Sequence, residues 1–313
     1  MMDAVPKAMD AISLAVEDVK RKLPSVTLRL GEPMKDHTSL KIGGPVFAMF
    51  FPGSAGDVVE LCGVLREYGI EPLTIGNGTN MLVAEGPLNM VVIKTSGVNA
   101  IEFSGETVLI AGAGAPLSRL AAHAYERGLS GLEFAHGIPG SLGGAVSMNA
   151  GAYGGEMKDI VYATTAYGPG TGILAVMGEE HDFSFRRSRF TDTGEIVLSS
   201  EIRLRKAGME SIRAKMDELS ARRRESQPLD LPSAGSVFKR PAEGYAAAFI
   251  EQAGLKGFTV GGAQVSEKHS GFIVNLGGAT FSDVMAVIEH IQEKVMAEFG
   301  VILEPEVKII RRR

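Results

Sequence analysis

This sequence of 313 residues has too little cysteine for a disulfide, no histidine cluster for a metal and no apolar run for a membrane. Its one cysteine, Cys62, falls in DVVELCGVLREYG, an apolar stretch at helical spacing where a thiol behaves as a small hydrophobe, so no catalytic role is expected of it. His37, His123, His136, His181, His269 and His290 stand far apart and without companion cysteines or carboxylate clusters, so no required metal is expected. No stretch approaches the ~18 consecutive apolar residues of a membrane span. The first residues, MMDAVPKAMDAISLAVEDVKRKLP, carry charges throughout instead of a basic start, an apolar core and a cleavage site. A cytoplasmic protein with no membrane insertion is therefore expected. The formal charge of -5 lacks the clustered basic face that nucleic acid requires, and Arg222–Arg224 and Arg311–Arg313 read as solvated charge. There is no internal repeat and no low-complexity segment.

What is present is a globular composition, 45% hydrophobic and 22% charged, in a chain long enough for two or three cores. Glycine is the oddity: it supplies 39 residues, against an ordinary usage of ~7%, and is densest between Gly43 and Gly155. Hydrophobic periodicity predicts helices near Lys7–Arg21 and Asp57–Tyr68 and strands near Val46–Phe51, Leu73–Ile75 and Met90–Ile93, a small α/β block over residues 1–94. A second block, 95–206, has strands near Thr107–Ala111 and Glu195–Arg203 around a helix near Pro116–Arg127 and a long glycine-rich stretch. At about Lys206 glycine thins and a charged helix, Met209–Arg224, begins a third block, 207–313. That block adds helices near Tyr245–Gln252 and Phe281–Phe299 and a terminal alternating strand, GVILEPEVKII.

Two glycine-dense segments are candidates for holding a ligand. In PLTIGNGTNMLV an apolar strand runs into Gly76-Asn77-Gly78-Thr79-Asn80, whose amides can point outward toward phosphate oxygens, or which can be simply a tight turn. In GLEFAHGIPGSLGGAVSMNAGAYGGE, small apolar residues replace the polar side chains usual in a surface loop and suit close backbone approach to a flat, partly buried ligand. Neither segment matches GxGxxG with a following helix and acidic partner, nor GxxxxGKS/T, which argues against Rossmann and P-loop domains.

Seven motifs in order, HTSLKIGGP, IGNGTNMLV, GLEFAHGIPGSLGGAVSMNAGAYGGE, FSFRRSRF, SAGSVFKRP, AQVSEKHSGFIVN and LEPEVKII, run from residue 37 to residue 310. Together they resemble the UDP-N-acetylenolpyruvoylglucosamine reductase (MurB) family, in its shorter, type II-like form. The resemblance implies an α+β fold: a two-part FAD-binding region of the type shared with vanillyl-alcohol oxidase and para-cresol methylhydroxylase, and a C-terminal α/β substrate-binding domain. It assigns 1–94 and 95–206 to the two FAD-binding subdomains and 207–313 to the substrate. It implies bound FAD, with Gly76, Asn77, Gly78, Thr79, Asn80, Ile138, Gly140, Ser141, Gly143, Gly144 and Ala145 near its pyrophosphate. NADPH is implied as cosubstrate and UDP-N-acetylglucosamine enolpyruvate as substrate, the product being UDP-N-acetylmuramate for peptidoglycan precursor synthesis. A monomer or weak oligomer is expected.

Reduction of an enolpyruvyl ether needs a hydride at one vinyl carbon, a proton at the other, and a group to stabilise charge on the adjacent carboxylate. Read alone, Ser236 is a turn or capping serine with an accessible hydroxyl, Arg186, Arg187 and Arg189 are indistinguishable, and Glu304 and Glu306 share one face of a charged edge strand. The family pattern selects Ser236 as proton donor, and Arg186 with Glu306 to polarise the carboxylate. Phe185 stands where many relatives have tyrosine, which removes any role of that hydroxyl. Lys239 and Arg240 are candidates for the UDP pyrophosphate and Tyr153 and Gln264 for lining the site. Arg240 replaces the asparagine of Gram-negative relatives, so the diphosphate contacts transfer least. Two rivals keep the cofactor but not the reaction: an oxygen-using oxidase or dehydrogenase of the same flavin fold, and a flavin- or nucleotide-binding sensor without turnover.

Overall fold

The computed structural model describes residues 4–311, with side chains from residue 10 onward; Arg312 and Arg313 of the terminal basic run lie outside the described residues. The chain divides into two compact units, neither of them a continuous segment. The first comprises 1–32, 46–77 and 89–221, and the second 33–45, 78–88 and 222–313.

The first unit holds two hydrophobic clusters. In one, the helices Ala4–Lys22 and Ala55–Glu67 bury Val16, Val19, Leu61 and Leu65 with Phe50 and Ile93 of a four-stranded sheet ordered Thr27–Pro33, Pro45–Phe51, Leu88–Lys94, Leu73–Ile75. The Ala55–Glu67 helix begins at a reciprocal cap, in which Ser54 accepts from the Asp57 N–H and Asp57 accepts from the Ser54 N–H. Cys62 lies on its buried face, where desolvation pushes the thiol up to about 12. The other cluster surrounds a five-stranded antiparallel sheet ordered Gly172–Met177, Val161–Gly168, Ile196–Arg203, Val108–Gly112, Ile101–Ser104. The helices Leu117–Glu126 and Leu142–Ser147 contribute Leu117, Leu120, Leu142 and Val146 to that core.

The second unit is built on a four-stranded antiparallel sheet, Ser233–Ser236, Phe272–Asn275, Ala263–Val265, Thr259–Val260. The Phe281–Phe299 helix buries Val284, Val287, Ile288, Ile291 and Val295 at helical spacing in the same core. The expected terminal strand is shorter than its alternating pattern predicts: only Lys308–Ile310 is strand, paired in parallel with Met81–Val83. Pro305 lacks the N–H a continuous ladder needs, and this part of the chain makes only an isolated bridge, Phe238 to Pro305, just beyond the Ser233–Ser236 strand. Glu304 and Glu306 thus lie outside the strand, although alternation survives in burial, with Val301, Leu303 and Val307 inside and Ile302 outside.

Candidate active site

In the first unit the Leu73–Ile75 strand delivers Gly76 against Ser141. A Cβ on Gly76 would overlap the Ser141 hydroxyl and stand 3.1 Å from its Cβ, so the Ser141 side chain occupies the space that a side chain at residue 76 would need. Asn77 Nδ2 donates to the Pro139 carbonyl at 3.2 Å, fixing the turn against the 138–145 segment. That segment is anchored from behind, with the Leu117 N–H donating to Gly140 O, Leu142 N–H to Ala115 O and Gly143 N–H to Ala113 O at 2.7 Å. A Cβ on Gly143 would come within 2.8 Å of the Ala113 Cβ. Ile138 and Gly140 are half-buried, Ala145 is buried, and Gly144 is exposed in the short Leu142–Ser147 helix.

Ser141 is 2% exposed and its Oγ has no hydrogen-bond partner among the described residues. An unsatisfied buried hydroxyl costs ~1–3 kcal/mol, and native structures rarely keep one without a use. Beside a glycine with no room for a side chain, such a hydroxyl fits the phosphate oxygen of a dinucleotide, and the residues present therefore fit FAD.

The remainder of the glycine turn belongs to the second unit. Gly78 has φ +62°, a Cβ there would overlap the His37 carbonyl, and its own carbonyl accepts from the Ser39 N–H at 3.1 Å. Thr79 is half-buried. Asn80 is engaged with the protein: Nδ2 donates to the Glu306 carbonyl at 3.1 Å and its own carbonyl accepts from the Lys308 N–H at 3.0 Å.

Ser236 ends the Ser233–Ser236 strand, exposed, after a register shift that sets Ser233 opposite Val274 but Ser236 opposite Phe272. The extra residue is a bulge, which re-aims the side chain that follows it. The next residue, Val237, accepts the Glu306 N–H at 2.7 Å, and the Lys239 N–H donates to Glu304 O at 2.9 Å. Ser236 and half-buried Glu306 are thereby held on adjoining segments. Lys239 Nζ pairs with the Glu304 carboxylate at 3.2 Å. The Arg240 guanidinium lies 4.0 Å from the ring centre of exposed Tyr245, a stacked cation that sequence reasoning missed. Gln264 Nε2 donates to Thr259 Oγ1 at 3.1 Å.

The three arginines of FSFRRSRF are distinguished in the first unit. Arg187 pairs with Asp192 at 2.7 Å and Asp182 at 3.4 Å, and Arg189 grips Glu195 through two nitrogens at 2.7 and 2.8 Å. Half-buried Arg186, at φ +55°, donates from Nη2 to the Gly151 carbonyl at 3.0 Å. The segment is a tight reversal bridging Ser184 and Arg187, followed by the short Arg189–Asp192 helix, and not the strand its alternation permits. Gly151 belongs to a hairpin with Glu156, whose two-residue turn is Tyr153 and Gly154, both at positive φ. A tyrosine there is strained, and such strain concentrates at functional sites.

Among the described residues no group of three His, Cys, Asp or Glu is arranged to hold a metal ion, and no helix is long and apolar enough to cross a membrane.

Residues 227–310 match the family model described as UDP-N-acetylenolpyruvoylglucosamine reductase, C-terminal domain, and residues 47–200 match the FAD binding domain. The UDP-N-acetylenolpyruvoylglucosamine reductase of Caldanaerobacter subterraneus is 50% identical over 297 residues, 95% of this chain and 98% of the relative. That of Thermotoga sp. is 46% identical over 90% of this chain and 93% of the relative. The crystal structure of the Thermus caldophilus UDP-N-acetylenolpyruvylglucosamine reductase superposes with a TM-score of 0.78 at 33% identity, covering 91% of this chain and 98% of that one.

Proposed function

As the chain belongs to the UDP-N-acetylenolpyruvoylglucosamine reductase family, we propose that Ser236, Arg186 and Glu306 carry its reduction of UDP-N-acetylglucosamine enolpyruvate to UDP-N-acetylmuramate. The protein is an FAD-dependent oxidoreductase that uses NADPH and serves peptidoglycan precursor synthesis. FAD, when bound and reduced, supplies the hydride. The chain's own residues then have three tasks. The Arg186 guanidinium, a planar fork, grips the substrate carboxylate on which charge builds, and Glu306 polarises it. Ser236 delivers its hydroxyl proton to the carbon beside that carboxylate, and its exposure lets solvent return the proton.

The observation that carries this assignment is the pairing of Val237 with Glu306, which fixes a proton-donating hydroxyl and a carboxylate on neighbouring backbone. Gly76, Asn77, Gly78, Thr79 and Asn80 hold FAD together with Ile138, Gly140, Ser141, Gly143, Gly144 and Ala145. Residues 1–94 and 95–206 serve the cofactor and 207–313 the substrate, with Lys239, Arg240, Gln264 and Tyr153 on the UDP-sugar. The protein works in the cytoplasm as a monomer or weak oligomer, without nucleic acid.

Ser236→Ala tests the proton assignment. Anaerobic NADPH should bleach the flavin of this variant at the wild-type rate, while reoxidation by the enolpyruvyl substrate slows ~10²–10⁴-fold, the usual worth of a positioned acid. Loss of bleaching with flavin still bound would remove Ser236 from that role.

A further inference from the structure

We propose that Asn149 is a positioning residue for Arg186, holding the arginine-bearing reversal at the distance and orientation that carboxylate binding needs. The inference rests on the assignment of Arg186 to the substrate carboxylate. Asn149 is fully buried and at φ +44°, a conformation asparagine tolerates better than other branched or bulky residues. Its side chain makes three hydrogen bonds to two segments of the chain. Nδ2 donates to Glu156 Oε2 at 2.6 Å and to the Ser184 carbonyl at 3.0 Å, and Oδ1 accepts from the Lys158 N–H at 2.9 Å.

Those partners are the two pieces of backbone that fix Arg186. Ser184 closes the reversal, its N–H donating to the Arg187 carbonyl at 3.0 Å and its carbonyl accepting from the Arg187 N–H at 3.3 Å. Glu156 pairs with Gly151, whose carbonyl accepts from Arg186 Nη2. A single amide thus ties the loop that carries the guanidinium to the hairpin that receives it. Ser188 Oγ and Thr191 Oγ1 pin the far side of the loop, both donating to the Ser147 carbonyl at 2.8 Å. Neither of these reaches the Ser184 carbonyl. With Arg186 itself at positive φ, the local backbone has no intrinsic preference for this geometry, and the amide supplies the constraint.

The test uses the FAD-loaded protein and separates its two half-reactions. Asn149→Gly keeps the positive φ and deletes the amide. The expected result is unchanged bleaching by NADPH, with reoxidation by the enolpyruvyl substrate slowed ~10- to 100-fold, the penalty of a small misplacement of a positioning group. Added to Arg186→Ala, the same change should slow reoxidation no further, because its effect passes through the arginine. Equal slowing of both half-reactions, or a full multiplicative effect on top of Arg186→Ala, overturns the inference. Normal reoxidation in Arg186→Ala alone overturns instead the assignment on which it rests.

Asn149→Asp with Glu156→Gln is the second variant, should the glycine protein fail to fold. It restores the 149–156 hydrogen bond with donor and acceptor exchanged, yet leaves the Ser184 carbonyl without its donor. Recovery of the melting temperature with reoxidation still slow supports the proposal; recovery of both contradicts it.

Discussion

Replacing Ser141 by alanine should stabilise the protein without cofactor and weaken it as a binder, two effects of opposite sign from one atom. In the apo form the hydroxyl is buried and unpartnered, so its removal recovers part of the ~1–3 kcal/mol that an unsatisfied buried group costs. With FAD bound, the hydroxyl donates to a charged oxygen, a bond worth ~1.5–3 kcal/mol, and its loss should raise the FAD Kd ~10- to 100-fold. Gly76→Ala checks the same contact from the other side. Its Cβ must displace the Ser141 hydroxyl, and in Ser141→Ala the nearest remaining obstacle is the 141 Cβ at 3.1 Å. The double variant should therefore bind FAD about as well as Ser141→Ala, and not with the summed penalty. Denaturant titration of apo protein and fluorescence-quenching titration with FAD measure both quantities. A lower apo stability with an unchanged Kd in Ser141→Ala refutes the reasoning, because the hydroxyl would then be a structural partner and not a ligand contact.

Other consequences concern stability. His181 is fully buried, stacked on Phe183 at 4.8 Å, with Nδ1 2.9 Å from the Gly178 carbonyl and Nε2 2.9 Å from Thr164 Oγ1. Burial holds its pKa below the usual histidine value, so the neutral ring belongs to the fold and the unfolded chain takes up the proton first. Its contribution is present above about pH 6.5 and lost as pH falls below it, and His181→Gln should flatten stability measured by denaturant titration between pH 7.5 and 5.5; an unchanged slope would exclude His181 as the source. Thr280 caps the Phe281–Phe299 helix by accepting from the Asp283 N–H at 3.1 Å, and Thr280→Ala should cost ~1 kcal/mol with both half-reactions unaltered.

Elements with strong periodicity and local stop signals were legible from the sequence. The Phe281–Phe299 helix has the expected ends because its cap and its apolar stripe are both local. The Val161–Gly168 strand was not legible, since VYATTAYG is small and polar and its place inside a five-stranded sheet, between Gly172–Met177 and Ile196–Arg203, depends in part on a partner strand far along the chain. For the same reason no sequence window shows that residues 33–45 and 78–88 belong to the unit formed by 222–313. The proline that shortens the terminal strand was visible in LEPEVKII, but alternation outweighed it. In the site, the motifs gave Ser236, Arg186 and Glu306, whereas the choice among three arginines has a physical counterpart only in the fold, where Asp192 and Glu195 engage the other two. Asn149 went unread because its hydrogen bonds reach residues 7, 9 and 35 positions along the chain; the one local signal was an asparagine before Ala-Gly, which also marks an ordinary turn.

The most direct test of the account is an anaerobic flavin spectrum of the purified protein through one cycle. The account predicts a yellow protein whose long-wavelength flavin band disappears with NADPH and returns on adding UDP-N-acetylglucosamine enolpyruvate, with one UDP-N-acetylmuramate formed per flavin. A folded protein that takes up no FAD, or a bleached flavin that the enolpyruvyl substrate leaves reduced, would contradict it.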